Sequence, residues 1–143
     1  MGRSVYEAFE TSKSLESDGV VVDFGDFKFI LARAGGSNRK FNAAVERRMR
    51  PHRRALQAGT LDPEVGDRIA AECFAEAVVL GWEGVTDRQG NPLPFTRENC
   101  VQLLLDLPDL FADLRTQATN LSNFLAAERE EMGKASPPTC DGS

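Results

Sequence analysis

One histidine, one tryptophan and three scattered cysteines leave this 143-residue chain with little of the chemistry from which active sites are built. His52 stands between Pro51 and Arg53, with no acid or thiol beside it, so neither a Ser/His/Asp set nor a zinc cluster can be assembled around it. Cys73, Cys100 and Cys140 are odd in number and lack a Cys-x-x-Cys spacing, which gives no support to a disulfide framework. Cys73 and Cys100 fall inside apolar helical patterns, where a thiol packs as a small hydrophobe. An HExxH pair and a Gly-rich phosphate loop following a strand are both missing. No run of about 18 apolar residues occurs, and Met1–Glu7 lacks the apolar stretch of a signal peptide, so the expected location is the cytoplasm, with no membrane contact. The resulting expectation is a protein with no catalytic residues, no metal and no cofactor.

What is present is a single domain's worth of chain, 41% apolar, with a net charge of −5. Against that acidic balance, eight of the seventeen basic residues crowd into one stretch: Arg33, Arg39, Lys40, Arg47, Arg48, Arg50, Arg53 and Arg54. Such a stretch suits a solvated helix face, an acidic protein partner reached through Arg47, Arg50 and Arg54, or nucleic-acid phosphate. The net negative charge and the lack of aromatics among the arginines weigh against nucleic acid.

The expected organisation is a flexible N-terminus over residues 1–14, one domain over 15–132 and a disordered tail over 133–143. Val20–Phe24 and the alternating Phe27–Leu31 flank Gly25-Asp26, the chemistry of a two-residue hairpin turn. Asn38 is placed to cap a helix that carries Phe41, Val45 and Met49 until Pro51 breaks it, and Gly59 ends the segment. Asp62-Pro63 reads as a cap followed by a proline in the first turn of a helix with Val65, Ile69, Cys73, Phe74, Ala77, Val78 and Leu80 on its apolar face, stopping at Gly81. Thr96 is the next N-cap. Pro108 opens a last helix whose stripe of Leu110, Phe111, Leu114, Ala118, Leu121, Phe124 and Leu125 spans more than four turns. The predicted class is therefore mainly α (α+β): a small helical domain with a short N-terminal β-hairpin.

The carboxylates Asp106, Asp109 and Asp113 share one side of a helix, but without a histidine or a second acidic segment they read as a solvated face near a helix start. Trp82 reads as an anchor packed on a joint between elements. The wide stripe of the last helix is the feature expected to remain open to a partner, with Leu114, Leu121 and Phe124 as its candidate contacts.

Several residues around that joint also form a recognisable pattern. Gly81-Trp82-Glu83-Gly84, the turn from Asp87 through Gly90-Asn91-Pro92, Pro94-Phe95-Thr96, and an acidic Leu-rich helix closing on Asp106-Leu107-Pro108-Asp109-Leu110-Phe111 resemble the tail assembly chaperones of long-tailed bacteriophages. The resemblance spans Leu15 to Leu125 and is strongest over Leu80–Phe111. It implies a non-enzymatic protein whose copies coat the long, apolar, helical tape measure protein, keep it soluble and help recruit tail tube protein subunits. It also implies residence in the infected bacterial cell and absence from the mature virion. Self-association fits the same picture. The competing classes are a tail or head completion protein that stays in the particle, and a nucleic-acid-associated accessory protein using the basic helix 39–54.

Overall fold

The computed structural model describes residues 4–125. Strands β1 (Val20–Asp23) and β2 (Lys28–Leu31) pair antiparallel, with Asp23 opposite Lys28 and Val20 opposite Leu31. The expected turn closes them: Gly25 takes a φ of +98°, the left-handed region that side chains with a Cβ avoid. The Phe24 amide donates to the Phe27 carbonyl at 2.9 Å, and the Asp23 carboxylate accepts from the Gly25 amide at 2.8 Å.

A third strand, β3 (Val79–Glu83), adds to the other side of β2, placing Trp82 opposite Phe29 and Glu83 opposite Lys28. This corrects the expectation of a helix running to Gly81. The helix ends at Ala77 with Val78 as its C-cap, and Leu80 and Gly81 belong to the strand. The hairpin leaves the outer edge of β2 unpaired, and a Val-Val-Leu run can satisfy that ladder as well as it can continue a helix. The Ala32 amide donates to the Val78 carbonyl at 2.7 Å where the two chains meet.

The other helix starts fall where the capping residues predict. The Asn38 side chain accepts from the Phe41 amide at the start of α3 (Arg39–Met49). Asp62 accepts from the Glu64 amide before α5 (Pro63–Ala77), and Thr96 from the Asn99 amide before α6 (Arg97–Asp106). Pro51 breaks the basic helix as expected: a 3₁₀ turn over Arg50–His52 separates α3 from α4 (Arg53–Ala58), and Gly59 ends α4 in the left-handed conformation. Two short helices, α1 (Val5–Phe9) and α2 (Lys13–Asp18), precede the sheet.

The last helix is shorter than its apolar stripe suggests. Helix α7 (Pro108–Thr119) stops where Asn120 turns extended, and a 3₁₀ turn over Leu121–Phe124 follows. The Thr119 hydroxyl bonds back to the Arg115 carbonyl, and the Asn123 amide group bonds to the Gln117 carbonyl. Beyond the bend, Phe124 is held from another segment: its carbonyl accepts from the Ser12 amide at 2.7 Å, and Leu125 bridges to Thr11.

Helix α5 runs through the centre, against α3 on one side and α6 on another. Its Phe74 meets Phe41 and Phe111 edge-on at 5.7 and 5.2 Å between ring centres. Phe29, Leu31, Val78, Cys100, Leu104, Phe111 and Leu114 complete one core. Ala44, Ile69 and Cys73 form a second beneath α3. Each large side chain buried this way is worth about 1.5–3 kcal/mol, so the core lies between the helices and the inner face of the sheet.

Candidate interaction surfaces

The basic stretch folds onto an acidic counterpart. Helical spacing puts Glu72 and Glu76 of α5 on one face, and α3 lays Arg47 and Arg48 across it. Arg47 bonds both oxygens of Glu76, at 2.7 and 2.8 Å, and Arg48 joins Glu76 at 2.8 Å and Glu72 at 3.2 Å. Hydrogen bonds from Arg47 and then Arg48 outweigh partial burial and hold the Glu76 carboxyl at about 2. Arg50 and Arg53 both reach Glu46, at 3.5 and 3.0 Å. Of the three arginines proposed as partner contacts, Arg47 and Arg50 are thus engaged within the fold. Arg54 makes no ion pair among the described residues. This pairing removes much of the open cationic field that phosphate binding needs.

Alongside this ridge lies an open cleft of about 320 Å³ lined by Asn42, Val45, Glu46, Met49, Arg53 and Leu56. Its floor is apolar, and Leu56 stands 53% exposed at one end. The break at Pro51 separates α4 from α3, and Leu56 lines one cleft with Val45 and Met49 that no helix covers among the described residues. The signal for it in the sequence is Leu56, an apolar residue that follows the spacing of Val45 and Met49 beyond Pro51.

The residues expected on an open stripe are instead enclosed. Leu114 and Phe124 are both 0% exposed, so neither is open to a partner in this fold. The bend at Asn120 turns the end of the stripe inward, where α2 and its flanking residues cover it. The Leu121 side chain lies outside the described residues, as do Cys140 and the tail over 133–143.

The motif residues form a joint around the indole. Trp82 packs edge-on against Phe29 at 5.8 Å and Phe95 at 4.9 Å, and its Nε1 donates to the Leu93 carbonyl. Asp87 builds the intervening turn: its carboxylate accepts from the amides of Gln89 and Asn91, and Gly90 adopts a φ of +85°. The Pro94 carbonyl accepts from Asn99, Thr96 caps α6, and Pro108 starts α7. Gly81 lies within β3. Gly84 has the stricter demand, because a Cβ there would lie 2.6 Å from the Asp26 carbonyl oxygen. Between the turn and α6 sits a cleft of about 330 Å³, with Leu93, Leu103 and Leu107 below and Arg88 facing Asp106 across 3.7 Å.

One buried polar cluster went unnoticed in the sequence. Glu16 of α2 is 1% exposed, and its carboxylate is bound by Arg33 and by the Ser37 hydroxyl. Burial pushes its carboxyl up, but hydrogen bonds from Ser37, Arg33 and Thr11 more than offset this and hold it below its ordinary value. Its partners lie 17 and 21 residues away, so no local spacing announces it. Among the described residues no group of three or more His, Cys, Asp or Glu side chains could hold a metal, and no helix is long and apolar enough to cross a membrane.

The described residues thus form a small domain of helices on a three-stranded antiparallel sheet. The model of the YdaY prophage protein family matches residues 36–135, which hold every element from α3 onward. The chain belongs to the YdaY prophage protein family and is a phage-derived protein. Neither a curated protein nor a solved structure matches it.

Proposed function

We propose that this prophage protein is a non-enzymatic tail assembly chaperone: it covers apolar helical segments of the tape measure protein, keeps that chain soluble and helps bring tail tube subunits to it. Membership of a prophage family and the resemblance over Leu80–Phe111 support the reading. The observation that carries it is the open cleft whose apolar side chains are Val45, Met49 and Leu56, a surface of the kind on which the apolar face of a partner helix can lie. A long apolar helix aggregates unless such a surface covers it. This moves the expected contact from Leu114, Leu121 and Phe124 to the α3–α4 cleft, with the free Arg54 next to it in sequence. The chaperone acts in the cytoplasm of the host and leaves before the particle is complete.

The test is co-expression with the tape measure protein of the same prophage. The native chain should raise the soluble yield of its partner, and Leu56→Asp should remove that effect while circular dichroism and melting stay near native, because the side chain is half exposed. Leu114→Asp should instead unfold the domain, since it places a charge in the core. An unchanged soluble yield with the native chain, or detection of the protein in purified virions by mass spectrometry, refutes the chaperone reading.

A further inference from the structure

Among the described residues strand β1 lies at the edge of the sheet, paired only with β2. The strand is short and ends on the charged Asp23, but Val20-Val21-Val22 carries no charge and no proline, and among the described residues the one register shift of the sheet lies between β2 and β3. Which backbone groups face outward follows from the turn. Because the Phe24 amide bonds to Phe27, the residues Phe24, Val22 and Val20 direct their amides and carbonyls to β2. Those of Val21 and Asp23 therefore point away from the sheet and have no hydrogen-bond partner among the described residues. The side chains alternate as well: Val20 and Val22 are half-buried, Val22 packed against the core, while Val21 is 62% exposed. Beside the strand runs a trough of about 520 Å³, bounded by Leu15, Gly19, Gln117 and Asn123.

We propose that β1 is a self-association surface, on which the β1 strand of a second copy of this chain pairs antiparallel about a two-fold axis at Val22. The edge is complementary to itself in this register. Val21 faces Asp23 of the partner copy and Asp23 faces Val21, so the outward amides and carbonyls of both copies are satisfied in four bonds. On the inner face, Val22 meets its own symmetry mate and Val20 meets Phe24. That contact extends the apolar row which Val22 and Phe24 already contribute to the core. An axis one residue earlier would oppose Asp23 to Gly19, whose amide is already bonded to the Leu15 carbonyl, and so satisfies fewer groups. The association joins two three-stranded sheets into one of six strands. It leaves the α3–α4 cleft free on each copy and does not depend on the chaperone reading.

Analytical ultracentrifugation of the full chain over a range of concentrations tests the proposal, with three substitutions at one position. Val21→Pro removes a donor that faces only the partner, so it should weaken dimerisation about tenfold or more with an unchanged dichroism spectrum. Val21→Glu sets a negative charge opposite Asp23 of the second copy and should also weaken it. Val21→Lys sets a positive charge there and should preserve or tighten it, although it removes the same apolar surface. Amide exchange at Val21 and Asp23 should slow as concentration rises. A monomer at every concentration, a dimer indifferent to Val21→Pro, or equal loss with Glu and Lys overturns the proposal.

Discussion

The indole Nε1 of Trp82 donates to the backbone carbonyl of Leu93 at 2.9 Å, tying the last strand of the sheet to the turn that leads into α6. The ring is half-buried between Phe29 and Phe95, so it serves both as packing and as a polar tie. Trp82→Ala should cost about 2–4 kcal/mol in urea unfolding. Trp82→Phe keeps most of the packing but leaves the Leu93 carbonyl without its donor, and should cost about 1 kcal/mol. Equal costs for the two would show that the hydrogen bond, and not the ring's bulk, sets the stability of the joint.

Acid should loosen the seam between α3 and α5. The Glu76 carboxyl sits at about 2 in the fold against an ordinary 4.5, so its contribution is fully present above 4.5 and is lost as pH falls through about 2. Discounted for the exposure of Arg47, that contribution is about 1–2 kcal/mol. Denaturant midpoints measured across this window should fall for the native chain more steeply than for Glu76→Gln, which lacks the titrating group. Parallel pH profiles would refute the assignment.

Glu16 should be among the least replaceable polar residues. Glu16→Gln leaves Arg33 without its buried counter-charge and should destabilise by about 2–4 kcal/mol, read from chemical unfolding. Because Ser37 and Arg33 both converge on this carboxylate, Ser37→Ala should cost less, about 1 kcal/mol. Glu16→Gln within about 0.5 kcal/mol of the native chain would mean that the cluster does not hold α2 in place.

Thiol chemistry offers a direct reading of the core. Cys100 is fully buried and its thiol is pushed up to about 12 by burial; burial also raises Cys73, beneath α3. In a Cys140→Ser background, a disulfide reagent at neutral pH should label neither cysteine in the folded protein and both in denaturant. Rapid labelling of Cys73 alone would show that α3 lifts from α5 in the native state.

The features legible in the sequence are those decided within a few residues. A side chain that caps the amide two or three positions on, as Asn38, Asp62 and Thr96 do, needs no distant partner, and neither does a glycine turn at Gly25 or a proline break at Pro51. Mainly helical content and one hairpin followed from such signals. Tertiary structure decided what depends on distant segments. Val79–Glu83 became a strand because the hairpin offered an unpaired edge, and its local spacing suited a helix equally well. The Leu114–Phe124 stripe, open to a partner when read along one helix, is closed because Asn120 bends the chain and residues near Ser12 hold the end in place. The arginines of α3 look unopposed in sequence because their acids lie in α5, as many as 29 residues away, and the carboxylate of Glu16 meets its cation only once α2 packs beside the sheet. Burial and charge pairing are properties of the space between elements, and that space exists only after the chain has folded.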